Sequence, residues 1–234
     1  GSSTSQYLPG SSTYSAKAFN PDVTWETTTT YNVGLDFGFF KNSALSGSVD
    51  LYTRKTDDLF GRLPIPPGQY LTNEAIRNVG STESKGFEVA LNVKAVDMDK
   101  VQVNVGGNIA YNYAEVTDLK GLTGVQANES RIPTQTGLFL ANHAVGEQPY
   151  SAWVFQQVYD ANGQAIPGAF VDLNGDGTIT NDDKYYKPLR PNWTYGFNIG
   201  VNAYNFDLTA NFRGQIDGMA YNSSIVKYGF TERA

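Results

Sequence analysis

The feature that most restricts the fold of this chain is a long alternation of apolar and polar residues that begins at Trp25. From Trp25 to Phe39 the odd positions are aromatic, aliphatic or Thr, whereas the even positions are polar or Gly. A side-chain period of two indicates a β-strand, and this run is longer than the usual strand of about 5–6 residues. After a short connection, a second run alternates in the same way from Leu45 to Leu51. The two runs predict a long β-hairpin with one apolar face and one polar face.

Such a hairpin fits two settings, and the alternation alone leaves both open. In a soluble β-sandwich the apolar faces meet in a core, whereas in a membrane β-barrel they turn outward to lipid. No stretch approaches 18 consecutive apolar residues, so the sequence predicts no transmembrane helix. A barrel strand needs only about 9–11 residues with every second one apolar, which keeps the mean hydropathy low.

Composition narrows the classes of function. The chain of 234 residues contains 24 Gly, 15 Tyr and 13 Phe with only 17% charged residues, which suits long antiparallel strands. It has no Cys, which excludes disulfides and thiolate metal sites within it. A net charge of −6 without a basic cluster argues against a nucleic-acid partner. Because the chain begins in Gly/Ser-rich sequence, we expect an internal piece of a longer protein.

Four further alternating runs follow the first two, at 87–94, 101–113, 193–201 and 206–212. The connections between the six runs are in turn short, long, short, very long and short. We therefore expect an extracellular loop at 1–20, a β-barrel segment at 21–214, and a truncated loop at 215–234. The barrel segment would include long outer loops at 55–83 and 116–190. Pro64, Pro66 and Pro67 support the first of these loops, because proline cannot donate to the ladder of a central strand.

This asymmetry of connections is typical of outer-membrane barrels, which have short periplasmic turns and longer extracellular loops. The aromatic residues agree with it, because Trp25, Trp193 and Tyr195 would lie at the outer rim and Phe39 and Phe206 at the inner rim. The predicted fold is all-β, an antiparallel transmembrane β-barrel segment of about six long strands with long extracellular loops. Known barrels begin at about eight strands, so neighbouring strands must come from elsewhere.

One motif carries recognisable chemistry. The twelve residues from Asp172 to Asp183 match the spacing of a calcium loop, with Gly177 at the position of the sharp turn. The last position is Asp rather than the usual Glu, and no helix is predicted on either side. The alternative is an Asp/Asn/Gly turn without an ion. We expect a structural Ca²⁺ that stiffens a long loop. Its expected ligands are Asp172, Asn174, Asp176, Thr178 and Asp183.

The sequence offers little that suggests catalysis. His143 is the one histidine, and no Ser or Asp pattern around it indicates a triad. Aromatic residues of the predicted loops, among them Tyr150 and Trp153, could stack on sugars or peptides or simply pack the loops. We predict that the protein is not an enzyme.

Three short segments resemble a known family. The segment Asn20–Glu26, which leads into 31–36, resembles a motif of SusC/RagA-like TonB-dependent transporters of Bacteroidota. The segment Asn78–Ser81 with Lys85–Glu88 is similar to a second motif. The calcium-type loop followed by Pro191–Phe197 is similar to a third, and the three occur in the order of the family.

The resemblance implies a barrel of about 22 strands in the bacterial outer membrane, with an N-terminal plug and energy supplied through TonB. It also implies a SusD-like surface lipoprotein as partner and oligosaccharides or peptides as substrates of nutrient uptake. This chain would supply strands from the C-terminal half of the barrel. It would therefore contact lipid, the plug and the remainder of the same transporter. The alternative is a secreted or cell-surface β-sandwich, stabilised by calcium, that binds carbohydrate or serves adhesion.

Overall fold

The computed structural model of the protein describes residues 18–66, 74–126 and 140–222. The chain first forms four long strands: β1 (Thr27–Phe39), β2 (Leu45–Pro64), β3 (Glu74–Met98) and β4 (Val101–Asp118). Six short strands follow: β5 (Val125–Gln126), β6 (Ala141–His143), β7 (Ser151–Phe155), β8 (Gln157–Tyr159), β9 (Ala165–Phe170) and β10 (Lys184–Lys187). Two further long strands are β11 (Trp193–Ala203) and β12 (Phe206–Ile216).

The six long strands form one antiparallel sheet in the order β1-β2-β3-β4-β11-β12. The short strands form a four-stranded sheet, β10-β7-β6-β5, and a separate hairpin, β8-β9. All six predicted strands are present and pair in chain order, so the all-β expectation is confirmed. Three tight connections, at 40–44, 99–100 and 204–205, lie at one end of the large sheet, here called the short-turn end. The opposite end is called the long-loop end.

One face of the large sheet is apolar across its whole width. Directly paired residues of antiparallel strands project to the same face, so the register defines rows of side chains. One row consists of Val33, Leu51, Phe87, Tyr111, Trp193 and Ile216. The row four residues further along β1 consists of Phe37, Gly47, Leu91, Gly107, Phe197 and Phe212. The next consists of Phe39, Leu45, Val93, Val105, Ile199 and Ala210.

The opposite face, here called the polar face, carries small polar side chains and glycine. One of its rows consists of Asp36, Ser48, Ala90, Asn108, Gly196 and Arg213. Another consists of Gly38, Ser46, Asn92, Gly106, Asn198 and Asn211. The strict two-sidedness of the sheet follows directly from the alternation in the sequence.

Within the described residues, no second layer covers the apolar face, and large side chains such as Val33 (74% exposed) and Leu35 (65% exposed) are open. Exposing an aliphatic or aromatic side chain of this size to water costs about 1.5–3 kcal/mol relative to burial, so this face requires an apolar environment. The buried apolar residues lie instead at the long-loop end: Ile65, Ala75, Val79, Val116, Leu119, Ala141, Ala144 and Ala152. No helix in the described ranges is long and apolar enough to cross a membrane.

The prediction of a loop over 55–83 was wrong for most of its length. β2 continues to Pro64 and β3 begins at Glu74, so the two strands stay hydrogen-bonded up to the Pro64–Glu74 pair. A bulge shifts the register after Thr56, where Asp58 has a φ of 58°. In this arm polar and apolar residues are mixed along both strands, and two register shifts interrupt the period, so the sequence shows no alternation although the backbone ladder persists. Pro64 is tolerated because it is the last residue of its strand.

The predicted loop over 116–190 contains more regular structure than expected. β4 extends to Asp118, and the segment beyond it contributes the strands from β5 to β10. These strands have two to six residues, too few to show a period in the sequence. The strand β12 also continues past the predicted boundary at 214, as far as Ile216. The expected loops at 1–20 and 215–234 lie largely outside the described residues.

Candidate functional site

The first two motifs that resemble the family contact each other through one side chain, that of Asn78. Its amide oxygen accepts the N–H of Thr24 at 2.9 Å, and its amide nitrogen donates to the carbonyl of Thr24 at 2.8 Å. The same nitrogen donates to the carbonyl of Asp58 at 2.6 Å, at the bulge of β2. Glu26 adds a further contact by accepting the N–H of Phe60 at 2.7 Å. The segment before β1 is thereby held along the upper part of the β2–β3 arm.

The glycines of the second motif allow close approaches of the backbone. A Cβ atom at Gly80 would overlap the carbonyl oxygen of Asp118 on β4. A Cβ at Gly86 would overlap the carbonyl oxygen of Tyr111 and meet the Tyr52 side chain. Both positions therefore require glycine for steric reasons. This explains why glycine belongs to the motif.

The third motif joins the second on the apolar face. The Trp193 ring lies 5.7 Å from Phe87 and 4.8 Å from Tyr111, measured between centroids. Phe87 and Tyr111 also stack on each other at 6.0 Å. These three rings form an aromatic cluster at the long-loop side of the apolar rows. Phe39 and Phe206 lie at the short-turn side and are exposed.

A cavity of about 1260 Å³ opens on the polar face at the long-loop end. Its floor consists of polar-face residues of β2, β3 and β4, among them Arg54, Ser84 and Asn112. The loop segment supplies the other side through His143, Tyr150 and Arg190. The cavity is therefore formed jointly by the large sheet and by the segment inserted between β4 and β11. We call it the long-loop cavity.

Three side chains from the inserted segment form a stack in this cavity. The guanidinium of Arg190 lies 4.9 Å above the centroid of the Tyr150 ring, which is cation–π distance. The His143 and Tyr150 rings meet edge to face, with 4.6 Å between their centroids. The backbone N–H of Tyr150 donates to His143 Nδ1 at 3.4 Å. Tyr150 has a φ of 66°, which is unusual for a residue with a side chain. The stack brings together Tyr150 and His143, which the sequence analysis considered, and Arg190, which no sequence pattern indicated.

The inserted segment is anchored to the end of β4 by backbone hydrogen bonds. The N–H of Val116 donates to the carbonyl of Glu147 at 2.9 Å, and Gly146 donates back to the carbonyl of Val116 at 2.8 Å. The fully buried Ser151 donates its hydroxyl to the carbonyl of Gln148 at 2.8 Å. Burial in this packed region raises the pKa of the Glu147 carboxyl above its ordinary value. The cavity wall is thus a folded part of the protein.

The predicted calcium loop is a tightly wrapped turn held by its own carboxylates. Asp172 accepts the N–H of Gly175 through Oδ1 and that of Gly177 through Oδ2, each at 2.7 Å. Gly177 has a φ of 81°, as its position in the motif requires. Each Asp172 oxygen retains one lone pair, because a carboxylate oxygen can accept two bonds.

Asp183 is fully buried at the other end of this loop. Its Oδ1 accepts the N–H of Leu173 at 2.8 Å, and its Oδ2 accepts that of Thr180 at 2.7 Å. The N–H of Thr180, the largest influence, holds the pKa of the Asp183 carboxyl below its ordinary value, and those of Asn174 and Leu173 act in the same direction. Asp183 therefore closes the loop by hydrogen bonds to its backbone.

The remaining predicted ligands interact with one another. Asn174 donates its amide to Asp176 Oδ2 at 3.0 Å, and Asp176 Oδ1 accepts the N–H of Thr178 at 2.8 Å. The described part of the chain contains no group of three or more His, Cys, Asp or Glu side chains positioned to share one metal ion. The loop offers oxygen atoms of the kind that calcium prefers, but in this structure its carboxylates are engaged by N–H donors.

Comparison with known proteins identifies the family. The sequence profile described as "TonB dependent receptor-like, beta-barrel" matches residues 1–225. The chain belongs to this family. It is 38% identical over 224 residues to the TonB-dependent receptor SusC of Bacteroides thetaiotaomicron, and the match covers 92% of this chain and 22% of SusC. It is 31% identical over 215 residues to the TonB-dependent receptor P26 of Formosa agariphila, covering 87% of this chain and 21% of that receptor.

A solved structure of the RagAB peptide transporter has the same fold. Its match has a TM-score of 0.67 and 26% sequence identity, and it covers 90% of this chain and 23% of that one. The chain thus spans about a fifth of the length of these relatives. As a member of the TonB-dependent receptor family the protein is an outer-membrane protein, and the resemblance drawn from three short motifs is confirmed.

Membership of this family assigns the two faces of the large sheet. In an outer-membrane barrel the apolar face meets lipid and the polar face lines the lumen. The rows of the apolar face run from Trp193 to Ala203 along β11, which is about 34 Å of strand and about 25 Å of height once tilted. That height corresponds to the apolar band of such barrels. The uncovered apolar face therefore does not favour the β-sandwich alternative.

Proposed function

We propose that this chain is a segment of the barrel wall of a non-enzymatic TonB-dependent importer that takes up nutrients across the outer membrane. The observation that carries the proposal is the polar face, which leads from the short-turn end to the long-loop cavity. Short turns of such barrels are periplasmic and long loops are extracellular, so the cavity would face the incoming substrate. The chain would supply passage and part of the binding surface, whereas energy coupling would reside in other parts of the protein.

The proposed partners follow from the family. They are a SusD-like surface lipoprotein, the plug and remaining strands of the same transporter, TonB, and the lipid of the outer membrane. The proposed substrates are oligosaccharides or peptides. Support for this class comes from the size of the cavity, about 1260 Å³, and from the aromatic and polar side chains that line it. RagAB is a peptide transporter, and the proposal for this chain keeps both substrate classes.

We also propose that the loop from Asp172 to Asp183 binds a structural Ca²⁺. Asp172, Asn174, Asp176 and Asp183 would supply side-chain oxygens, and Thr178 would supply its backbone carbonyl. The wrapped turn and the spare lone pairs of Asp172 support this proposal. The ion would supply a rigid link between the two ends of the loop.

The experiment that tests the import function obstructs the long-loop cavity in the intact transporter. Ala114 lies on the polar face and lines the cavity, whereas Ile109 lies on the apolar face of the same strand. We expect Ala114→Trp to lower uptake of oligomeric nutrient by tenfold or more, because the indole would occupy the passage. Ile109→Trp is the matched control and should leave uptake unchanged, since lipid accepts the larger ring. Equal uptake by both variants would contradict the proposal.

A further inference from the structure

The long-loop cavity has an unusual complement of arginine side chains. Arg54 and Arg62 reach it from β2, and Arg190 reaches it from the segment that precedes β11. All three are exposed, although the chain as a whole carries a net charge of −6. Three acidic residues, Glu74, Glu83 and Asp118, also line the cavity, so the availability of the guanidinium groups depends on whether these carboxylates pair with them.

Among the described residues, no carboxylate forms an ion pair with any of these arginines. In the described ranges the ion pairs are Lys55–Asp57 and Lys120–Asp58, and both use lysine. None of the three arginines forms a side-chain hydrogen bond to a described residue. A guanidinium that lacks a carboxylate partner keeps its planar set of N–H donors for a ligand.

The carboxylates at the cavity are directed elsewhere. Asp118 accepts the N–H of Lys120 at 3.0 Å. Glu83 lies on the same side of the sheet as the apolar rows, in register with Lys55 and Glu115. Glu74, the third acidic residue at the cavity, has its own interaction within the chain. Within the described ranges, none of these three carboxylates therefore forms an ion pair with Arg54, Arg62 or Arg190.

Arg190 is held in place before any ligand arrives. Its guanidinium carbon lies 4.9 Å from the centroid of the Tyr150 ring, a cation–π contact, and the Tyr150 ring is itself packed against His143 with 4.6 Å between centroids. Stacking engages the face of the guanidinium and leaves its N–H edge open. Because a stacked arginine has already lost much of its rotamer freedom, binding a ligand costs less conformational entropy.

We propose that the long-loop cavity contains a subsite for a carboxylate group of the substrate, bound by Arg190 and assisted by the charges of Arg54 and Arg62. A guanidinium binds a carboxylate through two parallel N–H···O bonds, which gives both strength and orientation. The carboxylate belongs either to an acidic peptide or to an oligosaccharide of uronic acids. This inference rests on the proposed import function and adds the charge of the imported molecule.

The test measures binding to the intact, detergent-extracted transporter by calorimetry. The probes are a glutamate-containing peptide, an oligouronate, and a neutral peptide and neutral oligosaccharide of the same lengths. We expect Arg190→Gln to weaken binding of the acidic probe by tenfold or more, because hydrogen bonds to charged groups are lost. Binding of the neutral probe should change less than twofold. The acidic probe that responds identifies the source of the carboxylate.

Two further variants make the result specific. Arg190→Lys keeps the charge but loses the paired donors, and it should give a smaller loss than Arg190→Gln. Arg213→Gln removes an arginine of the polar face that does not line the cavity, and acidic probes should bind it as they bind the unmodified protein. If Arg190→Gln assembles poorly, Arg54→Gln replaces it, with a loss of several-fold expected.

The outcomes separate this inference from the function on which it rests. Equal affinity for acidic and neutral probes, unchanged by Arg190→Gln and Arg54→Gln, would overturn the carboxylate subsite while leaving import intact. An equal loss for acidic and neutral probes would also overturn it, because the arginine would then act only on the shape of the cavity. An intact transporter that takes up none of the oligomers would instead refute the proposed import function.

Discussion

At the scale of single residues, Asn78 explains why two distant sequence motifs occur together. Its side chain bonds to both backbone groups of Thr24 and to the carbonyl of Asp58. An asparagine amide has both donor and acceptor atoms, so one side chain can complete the backbone bonding of a segment that has no strand partner. Neither Asp nor Ala could make all three bonds.

Replacing Asn78 should therefore loosen the segment before β1. We expect Asn78→Ala to lower the free energy of unfolding of the intact transporter by about 1–3 kcal/mol, from the loss of three hydrogen bonds that are partly open to water. Hydrogen exchange at 22–26 should accelerate in the same variant. The matched control is Asn32→Ala on the polar face, since Asn32 makes no side-chain hydrogen bond to a described residue. Unchanged exchange at 22–26 would show that Asn78 does not hold the segment.

The residue scale also shows what the sequence could not predict. Arg54 lies on the polar face, in register with Ser84, because it continues the alternation of β2 that begins at Leu45. No local pattern indicated that Arg190 would stack on Tyr150, because those two residues are 40 positions apart and meet only when the inserted segment folds. The same holds for Asn78 and Thr24, which are 54 positions apart.

At the scale of elements, strand prediction succeeded where one face of the strand is apolar and the other polar. The starts or ends at Phe39, Leu45, Val101, Trp193 and Phe206 were all visible in the alternation. It failed in the arm of β2 and β3 beyond Thr56, since mixed polar and apolar residues and two register shifts leave no period of two in the sequence. The short strands from β5 to β10 were missed because their pairing depends on contacts within the inserted segment.

The loop from Asp172 to Asp183 is the element whose behaviour is easiest to test. We expect the intact transporter to contain about one Ca²⁺ per loop, and removal of calcium by a chelator to speed proteolysis within 172–183 by about tenfold. Asp172→Asn should give the same rapid cleavage with calcium present, because it weakens the first ligand. The measurements are elemental analysis and timed proteolysis with mass-spectrometric mapping.

A neighbouring turn provides the control for this prediction. Asp160 accepts the N–H groups of Asn162 and Gln164, each at 2.8 Å, in a turn with no calcium-loop spacing. Asp160→Asn should therefore leave both calcium content and the chelator effect unchanged. An unmodified protein that contains no calcium, and whose cleavage is insensitive to chelator, would contradict the calcium proposal. The loop would then be closed by the hydrogen bonds from its backbone to Asp183.

At the scale of the whole molecule, the large sheet is stable only in two different environments at once. Its apolar face has no covering layer among the described residues, and its polar face carries Asn, Ser and Gly that would be poorly matched to lipid. A barrel in a membrane satisfies both faces, and six strands form only part of it.

This two-environment requirement predicts opposite responses at adjacent positions of β3. Val89 belongs to the apolar row with Leu35 and Val49, whereas Ala90 belongs to the polar row with Asp36 and Ser48. We expect Val89→Arg to destabilise the intact transporter by about 2–4 kcal/mol, the cost of an arginine on the lipid face near the bilayer midplane. Ala90→Arg, one residue along the strand, should cost less than about 1 kcal/mol, since its guanidinium reaches the aqueous lumen. The free energies are measured by denaturant unfolding in lipid vesicles. Equal costs for the two variants would mean that the faces are not divided between lipid and water, and the orientation of the sheet in the membrane would have to be reversed or abandoned.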